Sequence, residues 1–322
     1  MSWTEALQDP VFLRYGEFLA ALLGLAGLIL AVLRWGFDRN VTSVWTTYRG
    51  WLLMAPLALG CLAAGRVPTI LGLALLAASG IKELARATGL YRDWWMMSAV
   101  YAGLAAVTTV CLVQDPRTGT AGWYGMFMAL PAYVTALLLA VPVVRNRSKG
   151  QLQRICLGIL AFLYLGWMFG HLLFLANAGP GRSYLLFLLT AVVLTDVSAF
   201  TFGRLLGGRL FGGRRLRPRV SPNKTWAGAL GAFLVAMTLP WLLSFSLPGF
   251  GPLEKVLTGL IVGIGAQIGD LTVSVIKRDL GIKDMGAALE GHGGVLDRID
   301  SLIFTAPFFF HMVRWFLTLE QG

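Results

Sequence analysis

Long apolar stretches divide this sequence at short intervals, and they restrict the chain to a membrane-embedded fold. A bilayer core of about 30 Å requires roughly 20 predominantly apolar residues in a helix. Ten stretches approach that length, at 13–33, 51–64, 67–81, 96–113, 122–144, 153–177, 183–202, 226–246, 256–276 and 301–319. The second and third are short and almost contiguous, so they form either a tight helical hairpin or tilted half-helices, and nine spans is an alternative to ten. We therefore predict an all-α fold, a polytopic transmembrane helical bundle of nine to ten spans.

The composition supports this class and excludes two others. Hydrophobic residues make up 57% of the 322 residues and charged residues only 13%, about half of the usual share of roughly 25%. Neither a disordered chain nor a soluble nucleic-acid binder has this composition, despite the net charge of +11. The three cysteines lie in different apolar stretches without metal-ligand spacing, which favours a packing role.

Basic residues alternate between the two sets of loops. The loops 34–50, 82–95, 145–154, 203–225 and 277–300 contain 21 of the 27 Lys and Arg residues. The positive-inside rule therefore places these loops in the cytoplasm and both termini outside, if there are ten spans. The first apolar stretch follows acidic residues and no basic segment, so we expect a retained helix rather than a cleaved signal peptide.

Two aspartates lie within apolar stretches, Asp196 and Asp270. A carboxylate at such a depth costs several kcal/mol unless it is paired or bound to a cation. Each is either a structural ion-pair or boundary residue, or a ligand for a cation or charged substrate. Helical spacing places Asp270, Ser274, Lys277 and Arg278 on one polar stripe, which favours the second interpretation for Asp270. Small-xxx-small spacing on the same stretch predicts that neighbouring helices approach it closely, at Gly259, Gly263, Gly265 and Gly269.

The loop 277–300 combines basic side chains, acids and glycines. Its polar residues include Lys277, Arg278, Lys283, Asp284, His292, Asp297, Arg298 and Asp300, and Gly291, Gly293 and Gly294 flank the histidine. Glycine permits positive φ and a close approach of the backbone, as phosphate-binding loops require. We expect Asp297, Asp300 and Ser301 to share one face at the start of the last helix.

The loop 203–225 is the most basic segment of the chain, with seven Lys or Arg residues. Its simplest role is to set the orientation and to contact anionic lipid headgroups. The segment Ser221-Pro222-Asn223-Lys224-Thr225 is more specific, because Ser or Thr can cap the following helix and helix N-termini attract anions. This places Lys224 well to meet a phosphate.

From Ser274 to Asp300 the sequence closely resembles the signature of the phosphatidate cytidylyltransferases, also called CDP-diacylglycerol synthases. Ser, Lys-Arg, Lys-Asp, His-Gly-Gly and Asp-Arg-x-Asp follow one another in order and in register. A second region, with Asp196, Phe200, Gly203, Arg204 and SPNKTWAG, also resembles that family. These motifs cover roughly 195–305, whereas the N-terminal half is similar only in being apolar. We accordingly divide the chain into an N-terminal transmembrane region, 1–150, and a C-terminal catalytic transmembrane region, 151–322.

The resemblance implies that the phosphate of phosphatidate attacks the α-phosphorus of CTP, giving CDP-diacylglycerol and pyrophosphate. It implies Mg²⁺ held by Asp270 and Asp297, with K⁺ as a candidate second cation. The catalytic residues would be Asp270, Asp297, Lys277, Arg278 and Asp300. The substrate-binding residues would be Ser221, Lys224, Ser274, Lys283, Asp284, His292, Gly293, Gly294, Arg298 and Asp196. The expected partners are CTP, phosphatidate, membrane lipids and a second copy of the chain in a homodimer, and no nucleic acid is expected. The expected location is the inner membrane, with the active site facing the cytoplasm.

Some positions depart from the pattern of the family. Ala227 and Val273 stand where the family usually or often has Glu, and Glu290 stands where Pro is common. The alternatives are a CTP-dependent polyprenol or phytol kinase, a transporter of anionic lipids and a non-catalytic paralogue. The combined Lys-Arg, His-Gly-Gly and Asp-Arg-x-Asp pattern argues against the kinase. The concentration of polar residues in the C-terminal half argues against a transporter built of two related halves.

Overall fold

The computed structural model describes residues 3–37, 42–208, 210–286 and 293–318, and these are nearly all helical. The α-helices are α1 Trp3–Ala6, α2 Pro10–Ala31, α3 Thr42–Ala64, α4 Arg66–Thr88, α5 Trp94–Leu112, α6 Tyr124–Val144, α7 Gln151–Ala161, α8 Gly170–Leu175, α9 Gly181–Leu206, α10 Trp226–Leu242, α11 Pro252–Asp279 and α12 Leu296–Val313. π-Helical turns extend α2 over Val32–Gly36, join α7 to α8 over Phe162–Met168 and extend α12 over Arg314–Thr318. The prediction of an all-α polytopic bundle is confirmed.

Each predicted apolar stretch overlaps one of these helices or, for 153–177, the continuous α7–α8 segment. Among the described residues, seven helical segments are long and apolar enough to cross a membrane, and α10, with 17 residues, is a shorter apolar helix. The number of spans therefore stays a prediction. The second and third stretches form a tight helical hairpin, since α3 and α4 meet at Gly65, whose φ of 107° is accessible mainly to glycine.

The predicted loop 203–225 contains an element that the sequence did not indicate. Strand β1, Arg215–Arg217, pairs antiparallel with β2, Ser221–Thr225. Thr225 then caps α10, because its hydroxyl accepts the N–H of Gly228 at 3.1 Å. The hairpin thus leads directly into a helix, as the Ser-to-Thr segment predicted.

Contacts between loops divide the molecule into two ends. At one end, Asp93 forms ion pairs of 2.7 Å with both Arg145 and Arg154. Glu83 accepts the N–H of Val295 at the same end. These contacts join the predicted cytoplasmic loops 82–95, 145–154 and 277–300.

The opposite end is held by two other arginines. Arg66 donates to the carbonyl of Cys111 at 2.8 Å, and Arg182 donates to the carbonyl of Leu62 at 3.1 Å. These residues lie at or near the loops predicted to face outside. The alternation of basic loops in the sequence therefore corresponds to two physical ends of the bundle.

Helices α9 to α12 pack closely at glycines, as the glycines of α11 predicted. A Cβ atom at Gly228 would lie 2.6 Å from the carbonyl oxygen of Ala199 on α9. A Cβ atom at Gly269 would lie 2.5 Å from the carbonyl oxygen of Asp300 on α12. Because real side chains essentially never approach that closely, only glycine permits these helices to meet there.

Candidate active site

A cavity of about 630 Å³ lies between α9, the β1–β2 hairpin, α10 and α11. Its polar lining consists mainly of Asp196 and Arg204 from α9, Arg215, Ser221, Asn223 and Lys224 from the hairpin, and Gln267 and Asp270 from α11. Its apolar lining includes Phe200, whose side chain is largely exposed on the surface of the bundle. The cavity therefore joins charged groups to an apolar border.

The centre of this cavity is the pair formed by Lys224 and Asp270. The Lys224 ammonium contacts Oδ2 of Asp270, and the hydroxyl of Ser274 donates to Oδ1 of the same carboxylate at 3.3 Å. Both partners of the pair remain about 30% exposed, so a ligand in the cavity can reach them. Ser274 follows Asp270 by one helical turn, which the spacing in the sequence predicted.

Two further carboxylates lie beside this pair. The hydroxyl of Ser301 donates to Asp196 at 3.3 Å, and the backbone N–H of Ser301 donates to Asp300 at 2.7 Å. Asp300 is buried, Ser301 contacts both Asp300 and Asp196, and Asp196 lines the same cavity as Asp270. Residues from α9, α11 and α12 thus form one acidic cluster inside the bundle.

Asp297 has a different environment from Asp300. Its Oδ1 accepts the Lys277 ammonium at 2.8 Å, and its Oδ2 accepts the N–H groups of Met285 and Gly294 at 3.0 and 3.1 Å. Gly293, at φ 76°, allows the chain to turn just before this contact. Asp297 therefore ties Met285 and Gly294 to the start of α12. Asp297, Asp300 and Ser301 all lie in the first turns of α12 at the predicted helical spacing, although their hydrogen-bond partners differ.

Glu83 on α4 is a residue of this region that the sequence analysis missed. Its Oε1 accepts the N–H of Val295 and its Oε2 that of Leu296, both at 2.8 Å. A carboxylate is well suited to the N-terminus of α12, where N–H groups have no partner within the helix. In the sequence Glu83 only follows an apolar stretch, and no local pattern relates it to a segment 212 residues away.

The remaining predicted residues lie at the border of the site. Arg278 is exposed and donates to the carbonyl of Val220 at 3.2 Å, which connects α11 to the hairpin. Lys283, Asp284 and Arg298 are exposed on the segment between α11 and α12 or at the start of α12. His292 and Glu290 lie outside the described residues.

Two of the three departures from the family pattern, Ala227 and Val273, do not line the cavity. Ala227 lines a separate apolar groove of about 260 Å³ between α9 and α10, together with Phe202 and Leu234. Val273 is fully buried in the hydrophobic core. Neither position lines the larger cavity, so the absence of Glu at 227 and 273 removes no carboxylate from its wall.

The donors of the acidic cluster are carboxylate oxygens, which hard cations prefer. Among the described residues, no group of three or more His, Cys, Asp or Glu is arranged to hold a metal ion by itself. Mg²⁺ is commonly bound by one or two carboxylates together with substrate phosphates. Asp270, accessible in the cavity beside a second acid, fits that mode of binding.

The sequence of this chain is similar to a known family and to several known proteins. The profile of a family described as the cytidylyltransferase family matches residues 45–316, so the similarity reaches well into the N-terminal half, beyond the motif region. Phosphatidate cytidylyltransferases of Staphylococcus haemolyticus and Mycobacterium leprae are 36% and 38% identical over 53% and 52% of this chain. An uncharacterized protein YnbB of Escherichia coli is 38% identical over 49% of the chain. The matched regions span 63%, 51% and 50% of these three relatives.

Proposed function

Because this chain belongs to the cytidylyltransferase family, we propose that it is an integral-membrane phosphatidate cytidylyltransferase. It would join CTP and phosphatidate into CDP-diacylglycerol with release of pyrophosphate, a step of phospholipid biosynthesis. The observation that carries this proposal is the cavity in which Lys224 and Asp270 meet next to the exposed apolar side chain of Phe200. A lipid can enter from the bilayer at the apolar border while its phosphate reaches the charged interior.

The chemistry requires charge neutralisation more than covalent participation of the protein. Both substrates are polyanions, and phosphoryl transfer depends mainly on positioning and electrostatic stabilisation. The phosphate of phosphatidate is already ionised, so the nucleophile needs no strong general base. Lys224 and Lys277 form ion pairs with Asp270 and Asp297, and Arg204 and Arg215 add positive charge to the wall of the cavity.

We propose that Mg²⁺ is the cofactor and that Asp270 is its principal protein ligand, with K⁺ as a candidate second cation. When bound, the metal would shield the phosphates and stabilise the charge of the leaving pyrophosphate. Without substrate, the ammonium of Lys224 neutralises Asp270. A substrate phosphate would compete for Lys224 and thereby release an oxygen of Asp270 towards the metal.

Asp297 is proposed as the second metal ligand on the basis of the family resemblance. Its oxygens are engaged by Lys277, Met285 and Gly294, so this role requires one of these contacts to open. Asp196, unlike Asp297, lines the same cavity as Asp270. The geometry of the described residues thus favours Asp270 over Asp297 as the first site of metal binding.

The end that contains the basic loops is proposed to face the cytoplasm of a bacterial inner membrane. The proposal is supported by the excess of Lys and Arg in those loops and by the contacts that join them at one end. CTP would then reach the cavity from water at the same end. The family resemblance also leads us to propose a homodimer, which a mass measurement in detergent would test.

The decisive experiment follows the labelled phosphorus of CTP. With purified protein, Mg²⁺ and phosphatidate, label from α-³²P CTP is expected in the lipid and label from γ-³²P CTP in pyrophosphate. The reaction should fail with diacylglycerol or a polyprenol as the acceptor. Transfer of γ-label to lipid would show a kinase instead, and transfer of neither label would favour the transporter or the non-catalytic paralogue.

A further inference from the structure

The apolar groove between α9 and α10 opens on the surface of the bundle. Its volume is about 260 Å³, and the side chains of Leu230 and Leu234 in its lining are exposed. The lining is apolar except for the hydroxyl of Thr238, which donates to the carbonyl of Val235 at 2.8 Å. In a bundle that spans a membrane, such a groove faces the hydrocarbon chains of lipids.

This groove is separate from the candidate active site. A Cβ atom at Gly228 would lie 3.1 Å from the Cα atom of Gly203 and 2.6 Å from the carbonyl oxygen of Ala199, so the backbones of α9 and α10 touch there. These three residues line the larger cavity, and none of them lines the groove. A ligand in the groove would therefore occupy a different place from a substrate in the cavity.

The length of the groove suits one lipid chain. On α10 its lining extends from Ala227 to Thr238, which are eleven residues apart. At a helical rise of about 1.5 Å per residue, this distance is about 16 Å. Half of a bilayer core of about 30 Å is about 15 Å. An acyl chain of a single leaflet therefore matches the groove from end to end.

The mouth of the groove lies beside Arg214. Leu210 lines the groove, and the short helical turn Leu210–Gly213 leads directly to Arg214. The carbonyl of Arg214 accepts the N–H of Trp226 at 3.3 Å, and Trp226 directly precedes Ala227 in the lining. Chain connectivity on one side and a backbone hydrogen bond on the other thus hold Arg214 at this end of the groove.

The charge at this mouth is unbalanced. Of the four arginines from 214 to 219, only Arg215 lines the larger cavity. Arg214, Arg217 and Arg219 are exposed, and none of them forms an ion pair with the residues that the structure describes. The sequence contains no Asp or Glu from 197 to 253. Charge complementarity therefore favours an anionic ligand above the groove.

We propose that the groove and Arg214 together bind one anionic phospholipid of the adjacent leaflet. One acyl chain would lie along α10, and the headgroup phosphate would accept hydrogen bonds from the guanidinium of Arg214, with Arg217 and Arg219 adding positive charge. The same hairpin carries Lys224 into the larger cavity, so the bound lipid would anchor one wall of that cavity to the bilayer. The inference concerns binding alone and does not depend on the proposed reaction.

The test titrates purified protein in detergent with dioleoyl-phosphatidylglycerol and, separately, dioleoyl-phosphatidylcholine, and counts the retained lipid by native mass spectrometry. The wild type is expected to bind the anionic lipid more tightly. Arg214→Gln should weaken the binding of phosphatidylglycerol about tenfold, because a charge-assisted hydrogen bond is lost, and should remove most of the preference over phosphatidylcholine. Leu234→Trp adds bulk in the middle of the groove and should weaken the binding of both lipids.

Two matched variants serve as controls. Arg147→Gln removes an exposed arginine from another basic loop, 145–154, and Leu242→Trp adds the same bulk to an exposed leucine of α10 outside the groove. Both should bind the two lipids as the wild type does, and circular dichroism should show the same helical content in all four variants.

The inference is overturned if the wild type shows no preference for phosphatidylglycerol, or if Arg214→Gln or Leu234→Trp binds it as the wild type does. An equal loss in Arg147→Gln would show that the charge acts without a defined site, and an equal loss in Leu242→Trp would exclude the groove. If Leu234→Trp converts a dimer to a monomer and leaves lipid binding unchanged, a second copy of the chain covers the groove instead.

Discussion

Replacing Glu83 by Gln tests whether α4 holds the start of α12 in place. In the wild type, the two carboxylate oxygens accept the N–H groups of Val295 and Leu296 at 2.8 Å each. The amide of Gln keeps one acceptor and presents an NH₂ group to the other donor, so one charge-assisted hydrogen bond is lost. That bond contributes about 1.5–3 kcal/mol, and the negative charge at a helix N-terminus contributes about 0.5–1 kcal/mol more.

We therefore expect Glu83→Gln to lower the free energy of unfolding by about 2–4 kcal/mol. Turnover should fall further than stability alone explains. Gly294 donates to Asp297 directly before the segment that Glu83 holds, and displacement of a site by about 1 Å can reduce a rate about 100-fold. Unfolding is followed by circular dichroism in detergent as denaturant is added, and turnover by release of pyrophosphate at a temperature where the variant is folded.

Glu254→Gln is the matched control for that experiment. Glu254 also lies in the first turn of a helix, but at the opposite end of α11 from the site. The variant Glu254→Gln should lose only the small stabilisation that a negative charge gives at a helix N-terminus, and its turnover should stay that of the wild type. If Glu83→Gln is as stable and as active as Glu254→Gln, the two hydrogen bonds do not support the site and the reasoning is wrong.

Further expectations concern pH, orientation, metal binding and packing. Burial opposes ionisation of Asp93, but hydrogen bonds and the charges of two arginines hold its pKa below the usual value. The stabilisation that the ionised carboxylate provides is therefore present above pH of about 4 and is lost as pH falls through the lowered pKa. Asp93→Asn should remove this acid-dependent part of the unfolding curve. In a variant without native cysteines, Arg217→Cys should react with an impermeant thiol reagent only when the cytoplasmic face is open. Arg117→Cys should react with the same reagent from outside. The reverse result would show that the proposed orientation is wrong. Asp270→Asn should leave the protein folded but abolish turnover and the binding of Mn²⁺, which is measured by electron paramagnetic resonance. A rate above about a tenth of that of the wild type would exclude Asp270 as the principal metal ligand. Gly269→Ala should destabilise the bundle by more than about 1 kcal/mol, scored in the same denaturant titration; an unchanged midpoint would contradict the close helix contact.

Local patterns predicted the parts of the site that lie within one helix. The spacing of Asp270 and Ser274 predicted their contact, and the Ser-to-Thr segment predicted the cap at Thr225. The glycines of α11 predicted close packing, although not the partners that they meet. In each case, the geometry of a helix relates residues three or four positions apart, so the sequence contains the necessary information.

Contacts between distant segments could not be predicted from local spacing in the sequence. Lys224 pairs with Asp270 across 46 residues, and Glu83 reaches Val295 across 212. Asp297 and Asp300 looked equivalent at helical spacing, but their partners come from different segments. No pattern of charges along the chain specifies which helices become neighbours, because that depends on the packing of the whole bundle.

The contact at Gly269 also limits how this protein can exchange its ligands. With the backbones of α11 and α12 this close, neither helix can slide or rotate past the other without a collision, so the acidic cluster behaves as a rigid frame during the reaction cycle. Opening and closing then fall to the β1–β2 hairpin, which a few side-chain contacts join to α11. Exchange should consequently respond to substitutions in this hairpin, while substitutions along the helix contact change the amount of folded protein and not the rate at which ligands enter and leave.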